Sequence, residues 1–489
     1  MYFATQMMSM RNILRPQMIL TVFGIMFLVC CKKTNSQQNL QPLPPAQGVP
    51  ISVSIDQEHP SYNIASDYLG LSFEMTAITD SNYFNPGQSV FVQLVKNLGT
   101  GIFRIGANGV DKTFWTGKPR QASTPADSIT TTDIDRFSHF IQAIQWKTIF
   151  GLNLGGNFNP ATNADEASYV TKDLSGLIQS FEVGNEADLY PGNGYRNAGY
   201  TETDFDGEWK QYYNAVETMT PNTVFSGPAF AYNQTWLYEF AKQESNHINE
   251  LTIHYYQAGP GTDPSINLNT LLAPMADSTM DKFGNALYII ALSAQTPYRV
   301  AECNSIYGGG KANVSNTFGA ALWAIDFMWR LAYTGCSGIN FHGGGNGPYS
   351  PIGDSAGIFF AKPEYYSMLF FKNGAQGTLL PCNVNTGTEN VTAYASKTVD
   401  GTMYVSILNK EPQTDVAVTL QTGTSSRSVT LNSLTASNLN ATSGLVLQGY
   451  TLNPDGTITK GSLQSYSVGQ SGITINVPAA SAMLVIIHP

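Results

Sequence analysis

Glu186 and Glu302 each close a short apolar run: Ser180-Phe181-Glu182-Val183-Gly184-Asn185 leads to the first, and Tyr298-Arg299-Val300-Ala301 to the second. Runs of this length and composition read as buried strands, so each carboxyl stands at the C-terminal end of one. Two facing carboxylates are what cleavage of a glycosidic bond requires. One protonates the leaving oxygen, and the other attacks the anomeric carbon or activates water. A lone Asn-Glu dipeptide says little. Two strand-end glutamates separated by further strand and helix patterns say much more, because an α/β barrel gathers such ends on one face.

The elements needed to position them are legible. Eight apolar segments read as strands: 69–73, 101–105, 148–152, 180–183, 223–226, 251–256, 298–301 and 338–341. Between them lie helical patterns. Ile134, Phe137, Ile141 and Ile144 recur at helical spacing behind Asp133, and Val90, Phe91, Leu94, Val95 and Leu98 form a second apolar face. The alternation predicts a (β/α)8 TIM barrel over residues 65–373, with a doubly wound open sheet as the alternative the same pattern allows. From residue 374 to 489 the pattern changes to period two, with turn signals at Asp400-Gly401 and Asn453-Pro454-Asp455-Gly456. This predicts a C-terminal antiparallel β-sandwich. The strand-like Ile51-Ser52-Val53-Ser54-Ile55, within 49–64, is expected to join it.

The chain has 489 residues, a formal net charge of −10 and only 12 % charged residues. Without a long Lys/Arg run it has no means of tracking a phosphate backbone, so nucleic acid is excluded as a partner. Arg11 and Arg15 precede an apolar stretch from Met18 to Val29, which ends at Cys30-Cys31. That stretch is too short to cross a bilayer and fits a secretory leader. Its ending resembles a bacterial lipobox, so residues 1–31 are expected to be a lipoprotein signal with Cys31 lipidated. Residues 32–48, rich in Gln, Asn and Pro, then read as a flexible tether. The expectation is a cell-envelope protein held to the membrane by that lipid, on the periplasmic side or the cell surface. Cys303, Cys336 and Cys382 are too widely spaced for a metal or disulfide pattern. No paired-His or phosphate-loop motif is present, so neither metal nor cofactor is expected.

In these residues the chain resembles the clan A retaining glycoside hydrolases and, within them, glycoside hydrolase family 79, the β-glucuronidase and heparanase-like family. The resemblance spans about residues 50–489. It rests on Asn185-Glu186, on Glu302 and on Asn304-Ser305-Ile306-Tyr307-Gly308-Gly309-Gly310-Lys311. It implies that Glu186 is the acid/base and Glu302 the nucleophile, with Ala187 standing where the family usually has proline. It also implies that Asn185 meets the sugar 2-hydroxyl, that Glu74 and Asn108 bind hydroxyls, and that a strand-six tyrosine orients the nucleophile. Alignment favours Tyr255 for that role; strand parity leaves Tyr256 open. Tyr307 and Gly309 are implied to wrap a glucuronic acid carboxylate, since a glycine run lets backbone N–H groups approach an anion closely. Three residues have blander readings: Glu74 as an ion-pair partner of Arg104, His254 as a core histidine, and Lys311 as a solvated side chain. The expected activity is that of a retaining, exo-acting β-glucuronidase, on glucuronides with or without a 4-O-methyl group. The alternatives are a related glycosidase acting on neutral xylose, arabinose or glucose, and a non-catalytic glycan-binding lipoprotein.

Overall fold

The computed structural model describes residues 40–423, 428–469 and 472–489. The expected leader 1–31, with Cys31, and tether residues 32–39 lie outside them. Eight parallel strands form one sheet: β1 Leu69–Glu74, β2 Ile102–Gly106, β3 Lys147–Leu152, β4 Ile178–Val183, β5 Ser226–Phe230, β6 Glu250–Ala258, β7 Tyr298–Ile306 and β8 Gly338–Gly343. Hydrogen bonding runs from β4 through β3, β2, β1, β8, β7 and β6 to β5. A bridge between Phe181 and Phe225 then closes β4 onto β5. This closure excludes the open doubly wound sheet and makes the architecture a TIM barrel. The outer helices form where the sequence has an apolar face and a cap. Thr131–Ile144 starts on a capping box made by Thr130 and Asp133, and buries Ile134, Phe137, Phe140, Ile141 and Ile144.

The barrel interior is unusually polar. Layers of Val, Ile and Leu commonly fill such barrels, but here Ser72, Arg104, Glu182, Thr252, Arg299 and Asn340 are buried. They form two stacked charge layers. In the lower, Arg299 donates to Glu250 at 3.0 Å and to Asn340 at 3.2 Å. In the upper, Arg104 donates to Glu182 at 2.7 Å, Glu302 at 2.9 Å, Asn185 at 2.9 Å and Ser72 at 3.2 Å.

A β-bulge joins the layers. On β7, Val300 pairs with Ile253 of β6 and Glu302 with the next residue, His254, so Ala301 is an extra residue. The pairing with β8 shows the same slip. Strict alternation from the inward-facing Arg299 would turn Glu302 away from the interior; the extra residue turns it back. A second bulge on β5, at Ala229 with φ of 57°, gives Glu186 its backbone acceptor: the Glu186 N–H donates to the Ala229 carbonyl at 2.8 Å.

The C-terminal region is two stacked sheets. Strand Val49–Ile55 lies between Cys382–Asn385, antiparallel to it, and Val416–Gln421, parallel to it. Ile51, Val53, Val405, Ile407, Val418, Ile475 and Val485 fill the space between the sheets. A buried ionic joint holds this sandwich to the barrel. Lys410 donates to Asp277 at 2.8 Å and to Asp326 at 2.6 Å, on helices Pro274–Ala294 and Phe318–Tyr333. The Tyr394 hydroxyl also donates to Asp326, at 2.7 Å, and Trp329 stacks on the Tyr394 ring with centroids 5.6 Å apart. Removing the cation leaves the buried Asp326 carboxylate with only the hydroxyls of Thr392 and Tyr394, while Asp277 keeps Arg330 at 3.0 Å. Lys410→Met is therefore expected to destabilise the protein by about 3–5 kcal/mol, read as a shift of the urea midpoint; a loss under about 1 kcal/mol would show that the joint is not structural.

Candidate active site

Glu302 faces the barrel axis and is 3 % exposed. Its Oε2 accepts from Arg104 and its Oε1 accepts from the Tyr256 hydroxyl at 2.8 Å. Burial alone would push its carboxyl up. His342, His254, Arg104 and the Tyr256 hydroxyl outweigh that and bring it down to about 2. The ionised form is thus favoured by folding. Its contribution to stability is full above the unfolded value of 4.5 and is lost as pH falls toward about 2. Burial also opposes a charged His342, but Glu302 and Glu74 prevail and hold its pKa above the usual value. Its ring nitrogens lie 3.9 Å from Glu302 Oε2 and 3.7 Å from Glu74 Oε1.

Glu186 follows β4 in the left-handed conformation, φ 53°, which turns its side chain over the mouth. Its Oε1 lies 2.9 Å from His254 Nδ1. An oxygen of Glu186, an oxygen of Glu302 and a ring nitrogen of His254 all lie within 4.8 Å of one another. The two glutamates therefore share one small space, one buried and held as an anion, the other nearer the opening.

Above them is a cleft of about 780 Å³, within the range of small-ligand sites. Glu74, Asn108, Glu186, Glu302, Tyr307 and Gly309 all line it. Asn185 sits just beneath, accepting from Arg104 through Oδ1 and donating to Asn108 at 3.4 Å. Glu74 is not the partner of Arg104; it accepts from the Gly109 backbone N–H. After β7 the chain runs through Gly308, Gly309 and Gly310 with φ of 79°, 91° and 85°, a left-handed run that β-carbons would strain. Lys311 is neither solvated nor in the cleft. Its ammonium donates to the carbonyls of Asp263 at 2.6 Å and Ile266 at 2.7 Å.

Two strand-six expectations need correction. Tyr255 does not reach Glu302. It faces outward, stacked on Phe327 with centroids 5.0 Å apart, and its hydroxyl donates to Gln257. His254 is not a bland core residue, since its ring meets Glu186. Both follow from alternation along β6, which puts His254 and Tyr256 on the inner face and Tyr255 on the helix-facing one. His342 and Tyr349, which also line the cleft, went unnoticed in the sequence. The parity of β8, with Asn340 and His342 on one face, is the signal that could have found the histidine.

Residues 135–328 match the N-terminal domain of glycosyl hydrolase family 79, a span holding β3 to β7 and both glutamates. The chain is 26 % identical over 449 residues to a beta-glucuronidase of Aspergillus niger, covering 78 % of this chain and 82 % of that one. It is 26 % identical over 369 residues to a beta-glucuronidase of Neurospora crassa, covering 65 % and 64 %. Among solved structures it superposes on a 4-O-alpha-L-rhamnosyl-beta-D-glucuronidase from Fusarium oxysporum with a TM-score of 0.74 and 20 % identity, covering 91 % of this chain and 99 % of that one. With the glutamate-bearing strands lying inside the span that matches the family 79 N-terminal domain, and with glucuronidases among its relatives, this chain is a glycoside hydrolase similar to those of family 79.

Proposed function

We propose that the protein is a retaining, exo-acting β-glucuronidase. Glu302 attacks the anomeric carbon as the bond to the leaving oxygen breaks, and Glu186 passes its proton to that oxygen. Glu186 then takes a proton from water, which displaces Glu302 and releases glucuronic acid with its configuration kept. The observation that carries this reading is the spacing: carboxyl oxygens within 4.8 Å suit direct attack, whereas inversion needs room for a water between groups about 6.5–9.5 Å apart. The names of the relatives and the glycine run beside Tyr307 support a glucuronide as the substrate. The first test is hydrolysis of aryl β-glucuronide, β-xyloside and β-glucoside side by side, with proton NMR of the first-formed sugar. The β anomer of glucuronic acid is expected; an α anomer would refute retention.

One observation favours a second reading, a neutral sugar. Among the described residues no Lys or Arg lines the cleft, and Lys311 is turned to backbone carbonyls. A preference for xyloside or glucoside in the same panel would establish it. The proposal also includes lipidation at Cys31 and an envelope location, with Cys31→Ser expected to move the protein from the membrane to the soluble fraction.

The charge of His342 gives a pH prediction. His342→Gln removes the first of the groups that lower the Glu302 carboxyl, so that pKa rises. The acid limb of kcat/KM should then move to higher pH, read between about pH 3 and 6. An unmoved limb would mean that His342 does not set the ionisation of Glu302.

A further inference from the structure

The cleft has two chemically distinct ends. Tyr256 bonds Glu302, and the rings of Tyr307 and Tyr349 lie near Tyr256 with centroids at 6.4 and 6.2 Å. These tyrosines crowd the Glu302 end. The other end belongs to Glu186: the Leu189 N–H donates to the Glu186 carbonyl at 2.8 Å, and Leu189, Ala231 and Tyr232 complete the cleft there. In the proposed reaction the acid stands over the leaving oxygen, so the departing group must extend past Glu186. The space continues in that direction. A second hollow of about 330 Å³ shares Asn108, Glu186 and Leu189 with the cleft and runs on beside Lys112, Asn193 and Tyr195.

Tyr232 stands out at this end. It is 69 % exposed, and among the described residues its ring makes no hydrogen bond or ring contact. Its backbone, by contrast, is held firmly. The Asp188 carboxylate accepts the N–H groups of Ala231 at 2.9 Å, Tyr232 at 3.2 Å and Asn233 at 3.1 Å. The Asn233 side chain then caps helix Gln234–Glu244. A firmly held backbone thus presents an aromatic ring, open to solvent, at the rim where the leaving group must lie. Such a ring offers an apolar face with a polar tip, which suits the C–H face of a pyranose.

We propose that Tyr232 is the stacking platform of a leaving-group subsite, and that the natural leaving group is a pyranosyl residue rather than a small alcohol. This rests on the retaining-glycosidase reading, in which Glu186 is the proton donor. The test compares kcat/KM for two substrates with the same glycone, one carrying a pyranosyl leaving group and the other a methyl group too small to reach the ring. Tyr232→Ala is expected to lower the value for the first about 10-fold and to leave the second within twofold, with unchanged thermal melting. Tyr232→Phe should keep both. An equal loss on both substrates, or no loss on the pyranoside, would overturn the proposal. Running the pair as glucuronides and as xylosides separates the two questions. Wild-type turnover of xylosides alone sinks the glucuronide reading, and the platform is then judged on the xyloside pair.

Discussion

Glu302→Gln is expected to lower kcat/KM by more than about 10⁴-fold on every substrate, whatever its leaving group. The amide keeps the shape of the side chain and can still meet Tyr256, but it has no anionic oxygen to attack carbon. Because the buried carboxylate is held at about 2, the wild type carries its nucleophile ready at any pH at which the protein works. A slow 2-fluoro glycoside gives a reading independent of rate. Wild type should gain the mass of one glycosyl group on the peptide containing Glu302, and the variant should gain none. Label on any other residue would remove Glu302 from its role. Some stability should be lost as well, since Arg104 then keeps Glu182 as its carboxylate partner but not Glu302.

Glu186→Ala should behave differently. On a glycoside with a poor leaving group, loss of the proton donor is expected to cost about 10²–10⁴-fold in kcat/KM. On an aryl glycoside whose phenolate leaves unaided, the first step should be nearly spared and release of the glycosyl enzyme should become limiting. Azide needs no base and fits the space the carboxyl vacates. It should accelerate turnover and yield a β-glycosyl azide. If azide neither raises the rate nor appears in the product, Glu186 is not the acid/base. The contrast matters because the two residues are close and both are carboxylic acids. Their different jobs follow from their surroundings: Glu302 sits among Arg104, His342 and Tyr256, and Glu186 meets His254 nearer the opening.

Much of this was legible because barrel strands are apolar runs separated by amphipathic helices, and chain order then places β4 and β7. The runs failed where polarity misled. β7 continues to Ile306 through Glu302, Asn304 and Ser305, all buried, while the apolar pattern stops at Ala301. β5 occupies 226–230 rather than 223–226, because Gly227-Pro228 reads as a breaker and is instead part of the strand. The role of Arg104 was out of reach for another reason. Its partners come from β1, β4, the turn after β4, and β7, and no local pattern records a meeting of four segments. The choice between Tyr255 and Tyr256 was a question of parity, which alternation from His254 answers only once His254 is known to face inward.

The charged interior bears on how the molecule comes apart. Arg104 draws its partners from strands on different sides of the ring, and Arg299 from the strands flanking its own. Peeling away one sector would expose an unpaired guanidinium or carboxylate in a half-dry space, at a cost of about 3–5 kcal/mol for each pair broken. Partly opened rings are therefore disfavoured relative to both the closed and the fully unravelled chain. Loss of activity and loss of barrel structure on heating should coincide, because the arginine that anchors Glu302 also makes the ring close all at once or not at all.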